Sequence, residues 1–384
     1  MTATLVASDT SRVLPSQGEG TSRRLTAHLR RRTPMAVLGA GQVGQAVVQG
    51  LRARGVPVVC FIDESPDRQA RQVLGIDVVS LLEATQRLKG GGCIVCAFYL
   101  PHASLADTRL RIQQETGIEA FAFLPLIREL DQLAPYYCFE GDAERAREHV
   151  AAAEWLRARL SDQLSRDVLD RELALRLALE PDPDHRPTPP MSGVSNWPGD
   201  TDRLHFVDCG AYDGDTVAAF IARTGGSFER VHALEPDARN YERLLRRIGA
   251  MPAADSCRIA TYPIGVSDRS ERLPFAACGT AASGIDVHGD ATVEVVALDD
   301  LLETDVSYLI KLDVEGAESR ALRGARNTLA AGRSAVALSL YHRPEDIVDL
   351  PRQVEELMPG ATFVLRSHGF DGTDLMLYAF PSRV

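Results

Sequence analysis

At 384 residues the chain is long enough for two domains with separate cores. A net charge of -11 excludes a general nucleic-acid binder, because nothing here neutralises phosphates wholesale. No apolar run approaches the roughly 20 residues of a membrane span, and seven cysteines scattered without framework spacing fit a reducing compartment, so a cytoplasmic protein is expected.

Residues 1–33 read as a flexible tail with a basic stretch, "SRRLTAHLRRR", that either touches an anionic surface or, as the favoured reading, packs as a solvated helix. From 34 to 138 the pattern is that of a small parallel-sheet domain. "MAVLGAGQVGQAVVQGLRARG" gives a strand, a glycine turn and an amphipathic helix, and "VPVVCFID" follows as a second strand. Gly39, Gly41 and Gly44 form GxGxxG in that turn, and Asp63 ends the next strand. This is the dinucleotide pattern: glycines for close backbone approach, a helix start for pyrophosphate, an acid for ribose hydroxyls. It makes the four residues a candidate second site, for a nucleotide or nucleotide sugar. "GGCIVCAF" and "EAFAFLP" add two more strands. Cys93 and Cys96 are a CxxC within the first of these, where they would face opposite sides, so no redox or zinc role is read.

Residues 139–203 are a connector. The stretch 142–180 has no Gly or Pro, and Leu156, Leu160, Leu164 and Val168 recur every fourth residue, so it reads as helix, broken near Ser161 where a serine can cap a new start. It also offers a pairing surface for a homodimer. The six prolines of "PDPDHRPTPPMSGVSNWPGD" then preclude regular structure, leaving a linker or a loop that crosses a site.

From 204 to 384 a second α/β series runs through "LHFVDCG", "RVHALEP", "IATYPIGVS", "VSYLIKLDV" and "SAVALSLYH", and closes with the hairpin "TFVLRSHG"/"LMLYAFP". Its first strand ends in "FVDCGAYDGDT", with Asp208 and Asp213 around Gly210 and Gly214. Acids there would repel a pyrophosphate but suit a cation with amine and sulfonium groups, such as S-adenosylmethionine. Ala211, Tyr212 and Thr216 complete that turn. Glu235, beside Pro236, ends the second strand, where a carboxylate takes ribose hydroxyls. Asp268 follows the third strand at the edge of an adenine pocket, and Ser283 lies in a later loop. Asp313 in "KLDVEG" is a candidate to accept a proton, hold the acceptor, or bind Mg²⁺. Lys311 is an inward lysine in need of a partner, and Glu315 faces the acceptor. Glu318 reads as a solvated or capping helix start. His342 ends the fifth strand and suits a general base near neutral pH; Arg366 and His368 end the next strand on the acceptor side.

"FVDCGAYDGDT", "HALEPDARNYERL", "LDD" at 298–300, "YLIKLDVEGAESRALRGA" and "LSLYHRPEDIVDLP" together resemble the FkbM family of methyltransferases over about 204–380. The resemblance implies a class I methyltransferase fold, a seven-stranded sheet whose last strand inserts antiparallel, preceded here by a smaller Rossmann-like α/β domain. It also implies O-methylation of a sugar, glycan or natural-product hydroxyl. Two other readings stand beside it. A NAD(P)-dependent oxidoreductase or nucleotide-sugar-binding protein would use the Gly39–Gly44 turn, and a scaffold subunit would keep a donor pocket without turnover.

Overall fold

The computed structural model describes residues 18–65, 69, 71–133, 136–197, 201–280 and 283–382. The chain divides into two compact units. One comprises Met1–Glu154, Asp167–Pro187 and Gly369–Asp374; the other comprises Trp155–Arg166, Thr188–His368 and Leu375–Val384.

The first unit opens with α1 (Gly18–Arg30), where a flexible tail is expected. Leu25 and Leu29, one helical turn apart, are both buried, and Glu119 takes Arg24 at 2.8 Å and His28 at 2.9 Å. Two leucines on one face supply the packing that a count of basic residues conceals; residues 1–17 lie outside the described region. Six strands follow, β1 (Met35–Leu38), β2 (Val58–Ile62), β3 (Gln72–Val73), β4 (Ile76–Val79), β5 (Cys93–Cys96) and β6 (Ala120–Ala122). They lie in the order β3-β4-β2-β1-β5-β6, all parallel except β3. Helices α2 (Gln42–Ala53), α3 (Leu81–Arg87) and α4 (Leu105–Thr116) connect them. The strand order reverses between β1 and β5, the switch point at which such sheets bind ligands. Cys93 and Cys96 are buried in β5, and burial pushes both thiols up to about 12, which removes them from redox chemistry at neutral pH.

Helices α5 (Ala143–Arg157) and α6 (Gln163–Ala178) bracket the expected break. Asp162, rather than Ser161, caps the second helix, its carboxylate accepting from Ser165 N at 2.7 Å. Ser161 N instead donates to Phe363 O at 2.9 Å. The break resets the helical register, so Leu156, Leu160 and Val168 are buried while Leu164 is 46% exposed.

The second unit is built on β7 (His205–Cys209), β8 (Arg230–Leu234), β9 (Ile259–Tyr262), β10 (Gly265–Val266), β11 (Glu271–Ala276), β12 (Gly284–Ile285), β13 (Ala291–Val296), β14 (Tyr308–Leu312), β15 (Ala335–Ser339), β16 (Thr362–Ser367) and β17 (Leu375–Phe380). Seven of these form one sheet in the order β16-β17-β15-β14-β7-β8-β9, parallel but for β17, which runs against both neighbours. This is the class I methyltransferase arrangement. The expected single strand "IATYPIGVS" is two: Pro263, which has no N–H to donate, separates β9 from β10. β10 joins β13, β11 and β12 in a second, four-stranded sheet that the sequence reading lacks.

Helices α7 (Asp215–Thr224), α8 (Ala238–Gly249), α9 (Ala253–Ser256), α10 (Leu298–Leu301), α11 (Glu318–Gly324), α12 (Arg326–Ala330) and α13 (Asp346–Leu357) complete the unit. One face of the large sheet buries Phe206 against Phe220, rings stacked 4.4 Å apart, with Phe228, Leu244 and Tyr378 around them. The proline-rich stretch docks on that face: Met191 and Val194 are core residues, and Gly193 lies so close to the Tyr378 ring that an added Cβ would stand 2.4 Å from it. No helix of the described residues is long and apolar enough to cross a membrane.

Candidate functional site

β7 and β14 run side by side at the point where the strand order reverses, with Asp208 in register with Lys311. Both side chains therefore leave the same face of the sheet. Lys311 Nζ stands 3.1 Å from Asp208 Oδ1, 3.3 Å from the Gly210 carbonyl and 3.3 Å from Asp313 Oδ2. The chain has answered the demand that a buried lysine makes, with two carboxylates and a carbonyl. Burial raises the Asp208 carboxyl to about 6 despite its lysine, and its Oδ2 has no hydrogen-bond partner among the described residues. Asp313 goes the other way. Burial opposes its charge, but Lys311 and His342 pull it down to about 2.

The turn after β7 is pinned to the next strand. Gly210 N and Ala211 N both donate to Leu234 O at 3.0 Å, and Gly214 N closes the turn on Ala211 O at 2.7 Å. Gly210 sits at φ 80°, and a Cβ there would lie 2.0 Å from the Asp313 carbonyl oxygen. The turns after β7 and β14 are thus packed backbone to backbone, which only glycine permits.

Glu235 is 4% exposed. Its Oε2 accepts from Tyr212 N at 2.9 Å and its Oε1 from Asp237 N at 2.8 Å, while burial raises the carboxyl to about 7. Pro236 is half-buried next to it. Asp237 caps α8 and also binds Gly279 N at 3.0 Å and Ser283 Oγ at 2.9 Å. Asn240 holds Thr280 O at 3.0 Å, and Arg243 holds Gly279 O at 2.6 Å and lies over the Tyr212 ring. Gly279, Thr280 and Ser283 are therefore fastened to the Tyr212–Glu235 turns. Asp237, Asn240 and Arg243 are absent from the sequence reading, although an aspartate directly before an amphipathic helix is the usual capping signal.

On the other side of Asp313 the side chains are equally committed. Ser339 Oγ donates to Asp313 Oδ1 at 2.7 Å and Tyr341 Oη at 3.1 Å. His342 is buried with Nδ1 2.8 Å from Glu318, and with Nε2 3.4 Å from Glu315 and 3.5 Å from Asp313. Glu315 has φ 52°, an uncommon backbone for a residue other than glycine, and β12 packs Gly284 against its Cβ. Burial raises its carboxyl, against the pull of His342.

Residues 208–371 match the methyltransferase FkbM domain family. The match covers less than half of the chain, and over that stretch the chain is similar to methyltransferase FkbM domains. The structure of methyltransferase FkbM from Methylobacillus flagellatus KT is 24% identical, covers 94% of this chain and 98% of its own, and superposes with a TM-score of 0.72, so the fold is shared through both units. Precorrin-6y C5,15-methyltransferase from Geobacter metallireducens GS-15 is 11% identical over 49% of this chain and 84% of its own, with a TM-score of 0.29, too low to bear on the argument. No curated protein matches the sequence.

Within the second unit several expected roles need correction. His342 is no free base: burial opposes its charge, but Glu318 and Glu315 hold the imidazole well above 6.5 as a cation. Glu318, expected to be solvated, is 1% exposed and also accepts from Val314 N at 2.9 Å. Asp213 turns away to Arg247, at 2.5 Å. Asp268 is taken by Arg320 at 2.9 Å and Arg323 at 3.5 Å, and Arg320 also binds Glu271 of β11 at 2.5 Å. Arg366 is bound to Asp162 at 2.9 Å and Ser165 at 2.8 Å, tying β16 to the break between α5 and α6. His368 lies between Thr188 at 3.0 Å and Tyr378 Oη at 2.8 Å, and burial lowers it to about 4. Neither Arg366 nor His368 is free to line an acceptor. Thr216 sits in the first turn of α7 with its hydroxyl 3.4 Å from Asp215. Mg²⁺ does not fit at Asp313, because the Lys311 ammonium already occupies its cation-facing side. Among the described residues no three His, Cys, Asp or Glu side chains are disposed to hold a metal ion.

In the other unit Gly39 has φ 105°, and a Cβ on Gly44 would stand 1.8 Å from the Gly39 carbonyl, so the turn after β1 is as tight as its motif requires. Asp63 Oδ1 accepts from Ser65 N at 2.9 Å.

The histidine assignment is testable. Glu318→Gln is expected to lower the His342 pKa by about one pH unit or more, read from the imidazole resonances across a pH titration. A raised histidine pKa stabilises the fold fully below its ordinary value and ceases to do so as pH rises through the folded value. The variant should therefore lose most stability near and below pH 6.5 and converge on the wild type in alkali. An unchanged imidazole titration would refute the pairing.

Proposed function

We propose that the chain is an S-adenosylmethionine-dependent O-methyltransferase acting on a hydroxyl of a sugar, glycan or natural product. The observation that carries this reading is the pair of turns packed together at the β7/β14 switch point, with the orphaned Asp208 Oδ2 beneath them. An acidic, glycine-bounded turn with an unused acceptor suits a donor bearing an ammonium group. When bound, S-adenosylmethionine supplies a methyl group activated by the sulfonium charge. The Gly210–Gly214 turn would hold its amino-acid end. Glu235, with each oxygen taking one short backbone N–H, retains lone pairs for two ribose hydroxyls, beside Pro236.

On the acceptor side, Asp313 holds the hydroxyl and Glu315, whose carboxyl is raised, takes the proton, since a group held near 2 is the poorer base. His342 serves as the fixed cation that keeps both carboxylates in place. A reducing, cytoplasmic setting belongs to this reading, supported by seven cysteines that all stand as free thiols.

The tight Gly39–Gly44 turn favours a second reading, a nucleotide, nicotinamide or sugar nucleotide bound to the front unit. Calorimetric titration of the wild type, Glu235→Ala and Asp63→Ala with S-adenosylhomocysteine and with NAD⁺ separates the two. Micromolar binding of the homocysteine nucleoside, lost in Glu235→Ala alone, is expected. NAD⁺ binding lost in Asp63→Ala, with no response to S-adenosylhomocysteine, would move the chemistry to the front unit.

A further inference from the structure

Arg343 follows His342 and stands at the rim of the Asp313–Glu315 cluster. Its backbone is fixed, with N donating to Asp346 Oδ2 at 2.8 Å and O accepting from Asp346 N at 3.2 Å. Its side chain is exposed and its guanidinium lies across Gly316: a Cβ there would stand 3.0 Å from Nε and 3.3 Å from Nη2. Beneath the guanidinium, the residue that follows Glu315 therefore carries no side chain. Other arginines of the unit are spent on neighbours, Arg247 on Asp213 and Arg320 on Asp268 and Glu271. Among the described residues the Arg343 guanidinium has no hydrogen bond or ion pair of its own. The adjacent Glu315 is turned inward to His342 instead.

A guanidinium offers a planar fork of donors matched to a carboxylate or phosphate. The cluster behind it is acidic: among the described residues Asp208, Asp313, Glu315 and Glu318 are ion-paired with two cations, Lys311 and His342. An anionic acceptor would be repelled from that face unless a cation at the rim received its charge. We infer that the acceptor is a hydroxyl compound bearing an oxyanion, carboxylate or phosphate, and that Arg343 is the residue that selects it. This rests on the methyl-transfer reading.

The test is calorimetry on the full chain saturated with S-adenosylhomocysteine, using galacturonate and glucose 6-phosphate as oxyanion probes against neutral galactose and glucose. The two acidic arms distinguish carboxylate from phosphate. At least one is expected to bind about tenfold more tightly than its neutral parent. That preference should fall to about twofold or less in Arg343→Gln and be kept in part by Arg343→Lys, which retains charge without the fork. Equal binding of acidic and neutral sugars, a preference that survives Arg343→Gln, or no saturable binding of either acidic probe to a chain that binds S-adenosylhomocysteine would overturn it. So would loss of S-adenosylhomocysteine affinity in Arg343→Gln, which would assign the guanidinium to the donor. Failure of the wild type to bind S-adenosylhomocysteine would remove the methyl-transfer reading itself, and this inference with it.

Discussion

Gly210→Ala is expected to destabilise the second unit by about 2–5 kcal/mol and, on the proposed function, to weaken S-adenosylhomocysteine binding by at least about tenfold. Two costs combine. The residue sits at φ 80°, a conformation that an L side chain adopts only with strain, and the new Cβ would meet the Asp313 carbonyl at 2.0 Å. That carbonyl cannot swing aside freely, because Asp313 N is bonded to Cys209 O at 3.2 Å and its side chain is held by Lys311, Ser339 and Tyr341. The turns after β7 and β14 must separate, and the separation opens the place where the donor would bind. Gly41→Ala is the control. Gly41 has nothing within 4 Å of its would-be Cβ and an extended backbone, so only the cost of alanine in place of glycine at the α2 N-cap, no more than about 1 kcal/mol, is expected. Urea midpoints of the two variants, with calorimetry on each, measure both effects. A Gly210→Ala protein as stable as Gly41→Ala would mean the two turns are not in contact.

What the sequence made legible follows the physics of each signal. Buried strands of the large sheet stand out as apolar runs, and the parallel β7, β8, β14, β15 and β16 with the antiparallel β17 all fall inside the stretches read for them. The four-stranded sheet was missed because β11 and β13 alternate exposed and half-buried residues over short spans, which reads as loop. Asp208, Gly210 and Asp313 were legible from position alone, since the ends of adjacent parallel strands must meet. His342 was legible in place but not in state. A histidine at a strand end reads as a base; only three dimensions bring Glu315 and Glu318 onto its ring from a turn and helix far away in the chain. Arg366 and His368 misled for the same reason, because their partners Asp162, Ser165 and Thr188 lie in the connector, which no strand-end argument reaches.

Lys311→Met is expected to cost about 3–5 kcal/mol at neutral pH, the range for removing one partner of a buried ion pair. Methionine fits the volume but leaves Asp208 with no exposure and no cation, and takes from Asp313 the first of the charges that hold it ionised. The pH dependence identifies the cause. Lys311 is held charged above its ordinary value, so its contribution is complete below about pH 10 and is lost only as pH rises through the folded value. Asp313, depressed to about 2, stabilises above its ordinary value near 3.9 and ceases to do so as pH falls toward 2. Asp208 has the opposite sign: raised to about 6, it binds its proton more tightly folded than unfolded, so stability is regained as pH falls through 6. In Lys311→Met that regain should be larger and start at higher pH, because the lysine that opposed protonation is gone. The penalty should therefore shrink steadily between pH 8 and pH 5. Adding Asp208→Asn should recover about half of the loss at pH 7.5 while leaving little to recover at pH 5. Urea midpoints of the wild type, single and double variants across that range are the measurement. A penalty independent of pH, and untouched by Asp208→Asn, would mean that Lys311 contributes by packing alone and that the charge chain between β7 and β14 does not govern the centre of the sheet.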